Sequence, residues 1–389
     1  CPLAALGHSR DGRKGTLQVN YGLVTDRRGC PVAVSVHPGN TNDAKTLLPQ
    51  LKTIRESFGI EEVVLVGDRG MISQKQIDEL AKAGHAGWIT ALRTGAIRQL
   101  MDSGRLQMGL FDERNLFEIS SHDYPGERLV ACRNPDLARL RAAKRQSLLD
   151  ATVRELDKIR SMVARGRGKA PQSADEIGVR VGKVIDKYKV GKHFRLEIAG
   201  KSFAYSIDQE KVAAEAALDG IYVIRTSLPE SRMSAEDAVR GYKLLSGVER
   251  AFRSLKTVDL KVRPIHHHLE DRVRAHIFLC MLAYYVEWHL LEAWRELLFS
   301  DEDTEAKLSR DPVAPSPRSD AALRKIHHRI LDDDTPVHSF RTLLAELGTV
   351  VRNTCRRKDA DPDEPAFTVS TIPNPKQQRA LDLATAIRA

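Results

Sequence analysis

RGYKLLSGVERAFRSLKTVDLKVR, residues 240–263, decides how this chain is read. The stretch reads as one helix carrying Tyr242, Glu249 and Lys256 at intervals of seven. Seven helical residues turn through about 700°, close to two full turns, so the three side chains are expected to stack on one face. Arg253, four residues beyond Glu249, joins that face. Leu244, Val248, Phe252 and Leu255 fall on another arc and supply an apolar stripe for docking on a core. A carboxylate held rigidly among cations suits a metal-dependent site that works on phosphates. The same spacing also describes an ordinary amphipathic helix with solvated charges, and the stretch alone leaves both open.

Upstream, TLQVNYGLVT (16–25) and CPVAVSVH (30–37) read as two strands joined through Asp26-Arg27-Arg28-Gly29 as a hairpin. Asn42 can cap a helix running to about Phe58. Glu62 to Val66 reads as a short, fully buried strand. It ends in Gly67-Asp68-Arg69-Gly70 and is followed by a helix over 73–83 and a strand over 87–92. This order predicts an α/β domain with a mixed sheet, and places Asp68 at the carboxyl end of a central strand, where open α/β sheets hold ligands. An Asp in that setting also serves as a turn former.

From 94 to 217 the pattern breaks into short strands, a long basic helix over 137–163 ended by Arg165-Gly166-Arg167-Gly168, and a hairpin over 194–207. It reads as an α+β insertion between the strand of Asp68 and the helix of Glu249. Residues 1–93 and 218–298 are then the two parts of one catalytic domain. Residues 299–389 form a Pro-bearing linker and a tail with helical additions.

The 389 residues contain 61 Lys+Arg against 52 Asp+Glu, a net +9. That excess is compatible with a polyanionic partner, and it is concentrated. Ten basic and four acidic residues lie between Asp136 and Lys169, and seven and two between Arg240 and Arg263. Five scattered cysteines without a CxxC suggest neither a disulfide framework nor a cysteine zinc site, and a reducing cytoplasm is the expected setting. Adjacent His266, His267 and His268 lack the i, i+4 spacing of helical metal ligands, and a loop is expected there. No apolar run reaches the ~18 residues of a membrane helix, and no P-loop or GxGxxG pattern supports a nucleotide cofactor.

The spacing Tyr-x6-Glu-x6-Lys at Tyr242, Glu249 and Lys256 resembles the signature of bacterial insertion-sequence transposases with a DDE triad (Tyr-x2-Arg-x3-Glu-x6-Lys), except that Leu245 stands at the Arg position. VVLVGDRGMIS (63–73) resembles the segment of the second acidic residue in that group. GHSRDGRKG (7–15), HPGNTNDAKTL (37–47), DGIYVIRTS (219–227) and the run 262–288 extend the likeness in order along most of the chain.

The resemblance implies an RNase H-like fold, with Asp68 and Glu249 as catalytic residues and ligands for Mg²⁺ (Mn²⁺ substituting), in a two-metal cut-and-join reaction on transposon ends and target DNA. Tyr242 and Lys256 would contact DNA phosphate, with Arg253, or Arg250, as the candidates to stand in for the absent Arg. A nucleoid-associated, cytoplasmic protein without membrane contact is implied, and homodimer formation on DNA is left open. The first acidic residue of the triad is expected on a strand upstream of Cys1, because Asp11 and Asp26 sit in turn contexts. A DNA-binding remnant that cannot cut is therefore the alternative.

Overall fold

The computed structural model describes residues 1–389 except 10–11, 13–14, 85, 167–172, 259, 303–309, 315–317, 359–364 and 388–389, with backbone only at 257–258. Asp11, Arg167 and Gly168, and much of the 301–320 linker, thus lie outside the described residues.

Two sheets organise the part that carries the site. β1 (Ala5–Leu6), β2 (Leu17–Thr25) and β3 (Pro31–Pro38) form one, antiparallel throughout. The hairpin between β2 and β3 closes on Asp26, whose Oδ1 accepts from the amides of Arg28 (2.8 Å) and Cys30 (2.9 Å). The second sheet has five strands, in the order β4 (Val63–Val66), β5 (Ala86–Ala91), β10 (Ile221–Thr226), β7 (Arg128–Arg133), β6 (Leu116–Ile119). Only β4 and β5 run parallel, which makes the sheet mixed as expected.

Alternation along the inner strands sends successive side chains to opposite faces. Leu129 and Ala131 of β7 and Ile221 and Val223 of β10 meet Ile97 and Leu100 of α3 (Thr94–Asp102) on one face. There Trp88 of β5 packs against α1 (Leu47–Phe58) and α2 (Gln74–Ala83). Ile89, Val130, Cys132 and Ile224 face the other way, toward Val239 of α7 (Ala235–Lys243).

β4 is an edge strand rather than a central one. No strand pairs with its outer side among the described residues, and Val64 remains 37% exposed. Burial on both faces is what the apolar run Val63–Val66 suggested, but burial by a neighbouring strand cannot be read from composition.

The stretch 94–217 divides in two. Its β6 and β7 are hydrogen-bonded into the five-stranded sheet, so the separate body begins only at α4 (Pro135–Arg165). In that body α4 and α5 (Ala174–Tyr188) pack on the hairpin of β8 (Phe194–Ala199) and β9 (Ser202–Ile207), around Leu149, Leu156, Ile159, Ile177 and Val181. α4 leaves the sheet directly from β7, capped by the Asn134 side chain. Its near end rests on Gly220 (φ +76°), where a Cβ would lie 2.3 Å from the Asn134 carbonyl oxygen. Arg145 locks the crossing by donating to Asp219 at 3.0 and 2.5 Å, with both side chains about nine-tenths buried. Arg139 pairs with Asp136 in the first turn of α4, so that guanidinium is committed within the helix.

α9 (Glu270–Ala293) covers the first sheet through Val273 and Ile277 against Leu3 and Val36. Beyond its end α10 (Asp320–His328) is tied to Glu296, whose carbonyl accepts from Lys325 (2.9 Å), and α11 (Phe340–Leu347) and α12 (Pro375–Thr385) gather around Trp294, with Leu343 and Ala380 in the shared core. A two-stranded ribbon, β11 (Arg352–Cys355) with β12 (Phe367–Ser370), lies between the last two of these helices in sequence. None of the described helices is long and apolar enough to cross a membrane.

Candidate active site

The stretch 240–263 is not one helix. α7 ends at Lys243, α8 (Leu245–Arg253) starts two residues later, and residues 254–258 widen into a π-helical turn. At the join the Leu244 amide bonds to the carbonyls of both Arg240 and Gly241 (3.2 Å each), so the turn is tightened. No Pro marks this break, which is why periodicity alone missed it. Leu244, expected in the apolar stripe, is 46% exposed at the junction. Phe252 and Leu255 do face inward, Leu255 beside Ala251 and Tyr284 and Phe252 against Tyr21, with ring centroids 5.6 Å apart.

The three signature residues therefore sit on three successive segments: α7, α8 and the π turn. Tyr242, on α7, packs against the same buried cluster as Val66 at the end of β4. Its phenol is held above its ordinary pKa, first by burial, then by the negative charge of Asp68 and further by that of Glu249. Arg69 acts in the opposite direction on the same phenol. Glu249 sits exposed on α8, and Asp68 sits exposed just past β4. Two carboxylates 181 positions apart thus act on one hydroxyl. Lys256 sits on the π turn, which advances each residue through a smaller angle than an α-helix, and its Nζ rests 6.0 Å from the Phe252 ring centroid. Arg253 is exposed at the end of α8.

The local fold around Asp68 explains its orientation. Its Oδ1 accepts from the amides of Gly70 and Met71, both at 2.8 Å, while its carbonyl accepts from Met71 and Ile72. The residue is thus a turn former as well as a site candidate. Gly67 before it admits no side chain cheaply, since a Cβ would meet Ile72 at 2.8 Å, and Ile72 is 2% exposed. The strand end, the turn and the start of α2 are fixed together, and the carboxylate is presented on a rigid mount.

Two basic residues counted toward a phosphate-binding surface have other work. Arg240 donates to Asp237 (3.0 Å) and to the carbonyl of Arg310 (3.1 Å), and Lys243 donates to the carbonyl of Val313 (3.0 Å). They tie residues 310–313 onto α7. Arg69 is the site cation that the sequence reading passed over, although GDRG placed it beside the carboxylate. Asp26 is committed to its hairpin turn and to Arg28. His266, His267 and His268 are exposed, with His267 edge-on to His276 at 5.5 Å.

The hard oxygen donors of Asp68 and Glu249 suit Mg²⁺ or Mn²⁺ rather than a thiophilic metal. Among the described residues no group of three His, Cys, Asp or Glu side chains is assembled. Compared with known proteins, residues 4–286 match the family model described as the transposase DDE domain. No curated protein and no solved structure matches the chain.

Proposed function

We propose, from the premise that this chain belongs to the transposase DDE domain family, that it cuts DNA at the ends of a mobile element and joins them to target DNA at a site built on Asp68 and Glu249. The observation that carries the reading is that the charges of both carboxylates, one past a strand end and one on a helix far apart in sequence, reach the Tyr242 phenol and raise its pKa. A divalent ion held by Asp68 and Glu249 would supply charge stabilisation to the attacking and leaving oxygens of a phosphodiester. The chain's own residues bind and orient. The Gly70 and Met71 amides fix one carboxylate oxygen of Asp68, the protonated Tyr242 hydroxyl can donate to a phosphate oxygen, and Arg253 and Lys256 offer charge to the DNA backbone.

A second reading, DNA binding without cleavage, is favoured by one observation: no third carboxylate joins the pair among the described residues. The test is a duplex carrying a candidate element end, incubated with the protein in Mn²⁺ or Mg²⁺. Binding with nicking that is lost in Asp68→Asn and Glu249→Gln supports cutting. Binding without nicking supports the second reading, and neither activity removes both.

A further inference from the structure

The segment Arg310-Asp311-Pro312-Val313-Ala314, in the polar stretch between α9 and α10, is built into the main core. Val313 is fully buried among Ile89, Val130, Cys132, Ile224 and Val239, on the face of the five-stranded sheet that α7 covers. Its conformation is set locally. Pro312 fixes its own φ and turns Asp311 away from the helical region. The Asp311 Oδ1 accepts from the Val313 amide at 2.8 Å, a side-chain turn that Asp favours. A buried residue needs both backbone groups paired, and the Val313 carbonyl receives Nδ2 of Asn134 (2.8 Å) and Nζ of Lys243 (3.0 Å). The second Asp311 oxygen accepts from Asn115 Nδ2 at 2.7 Å, and the Arg310 carbonyl from Arg240 at 3.1 Å. Connecting segments ordinarily run over the surface with their backbone in water; this one is gripped by side chains 70 to 196 positions away.

The gripping residues matter for what they adjoin. Lys243 ends α7, next in sequence to Tyr242 and immediately before the break at Leu244. α8, which carries Glu249, starts beyond that break with no side-chain cap, so the join is not stiffened by its own residues. Asn134 caps the first turn of α4 through Oδ1 while its Nδ2 holds Val313. We propose that residues 310–314 are a positioning clasp: by fastening the end of α7 to the root of α4, they hold the α7–α8 join, and with it Tyr242 and Glu249, in place relative to Asp68. The neighbourhoods of clasp and site are continuous. The Tyr222 phenol, raised by burial first and by Cys132 next, also feels the charges of Asp311 and Tyr242. The clasp stands on its own contacts, and only its effect on a bound cation rests on the site proposed above.

Three variants of the full chain test this. Val313→Ser removes the buried hook, Asp311→Ala removes its turn, and Asp311→Asn keeps the turn while losing the charge. With ¹³Cζ-labelled tyrosine, assigned through Tyr242→Phe and Tyr205→Phe, the Tyr242 resonance should shift or broaden in Val313→Ser and Asp311→Ala. It should stay in place in Asp311→Asn, and Tyr205, in the small core around α4, should be unmoved in all three. Mn²⁺ binding, read from the free-ion resonance signal, should weaken by at least about tenfold in the first two variants, as when a supporting partner of a ligand is lost, and hold in Asp311→Asn. Asp311 is exposed, so Asp311→Ala judges the clasp even where Val313→Ser fails to fold. A Tyr242 resonance unmoved in Asp311→Ala would overturn the clasp whatever the metal result. So would Asp311→Asn behaving as Asp311→Ala, which would make the effect one of charge alone. A moved Tyr242 with unchanged Mn²⁺ affinity would end the positioning role. If the unaltered chain itself binds no Mn²⁺, the proposed metal site fails, while the tyrosine spectrum still decides the clasp.

Discussion

The proposed site gives Asp68 two jobs, turn former and metal ligand, that one pair of substitutions separates. Asn keeps an oxygen where Oδ1 accepts from Gly70 and Met71, and loses only the charge. Ala loses both hydrogen bonds. Each is worth about 0.5–1.5 kcal/mol net, and exposure puts them toward the lower end, so Asp68→Ala should cost about 1–2 kcal/mol. At about 2 °C per kcal/mol for a unit this large, the melting temperature should fall by about 2–4 °C. Asp68→Asn should melt within about 1 °C of the unaltered chain. Metal binding should divide the variants differently, with both weakening Mn²⁺ by at least about tenfold, since a hard cation loses an anionic ligand in each. Differential scanning fluorimetry reads the first quantity and the loss of the free Mn²⁺ resonance signal the second. Equal Mn²⁺ affinity in Asp68→Asn and the unaltered chain would remove Asp68 as a ligand. A melt of Asp68→Asn as low as that of Asp68→Ala would remove the turn explanation.

Convergence on Tyr242 can be read directly: with ¹³Cζ-labelled tyrosine, its pKa should fall in Asp68→Asn and in Glu249→Gln, because each removes a charge that raises it. An unmoved titration in either variant would place that carboxylate elsewhere. Arg145→Ala should cost about 3–5 kcal/mol by stranding Asp219, while Arg141→Ala and Lys144→Ala on the exposed side of α4 should stay within about 0.5 kcal/mol, as urea unfolding would show. Lys256→Ala should reduce by about one the slope of log affinity against log salt for duplex DNA, and an unchanged slope would make it a surface residue. Burial pushes the Cys132 thiol up to about 12. The folded state therefore holds its proton where the unfolded chain releases one, and stability should fall as pH rises from about 9 toward 12, by up to about 1.4 kcal/mol per pH unit. Cys132→Ala should flatten that alkaline slope in thermal melts.

Much of the site was legible because its signals are local. A Gly-Asp-x-Gly sequence after an apolar run marks a strand end and its turn, and the structure places Asp68 there. The mixed α/β sheet likewise followed from the order of short apolar runs and helices. What could not be read is long-range or subtle. Whether 63–66 is a central or an edge strand depends on a neighbour, not on its own residues. β6 and β7 join the main sheet through pairing with β10, about ninety residues on in sequence. The break at Leu244 lies in a sequence with ordinary helix propensity, and the π turn on which Lys256 sits has no composition signal. Arg145 looked like one more cation on a basic helix until its Asp219 partner came into view.

The thirty-one residues of α4 make a rod about 46 Å long, tied beside the sheet at its near end, while its own small core gathers around the distal half. Mechanically this is a lever with a short, stiff hinge. A tilt of about 10° at Asn134 would carry the far end through about 8 Å, more than the spacing between successive phosphates on a DNA strand. Fine control over what the distal body touches thus falls to a few atoms at the fulcrum: the backbone packed against Gly220 and the guanidinium of Arg145 on Asp219.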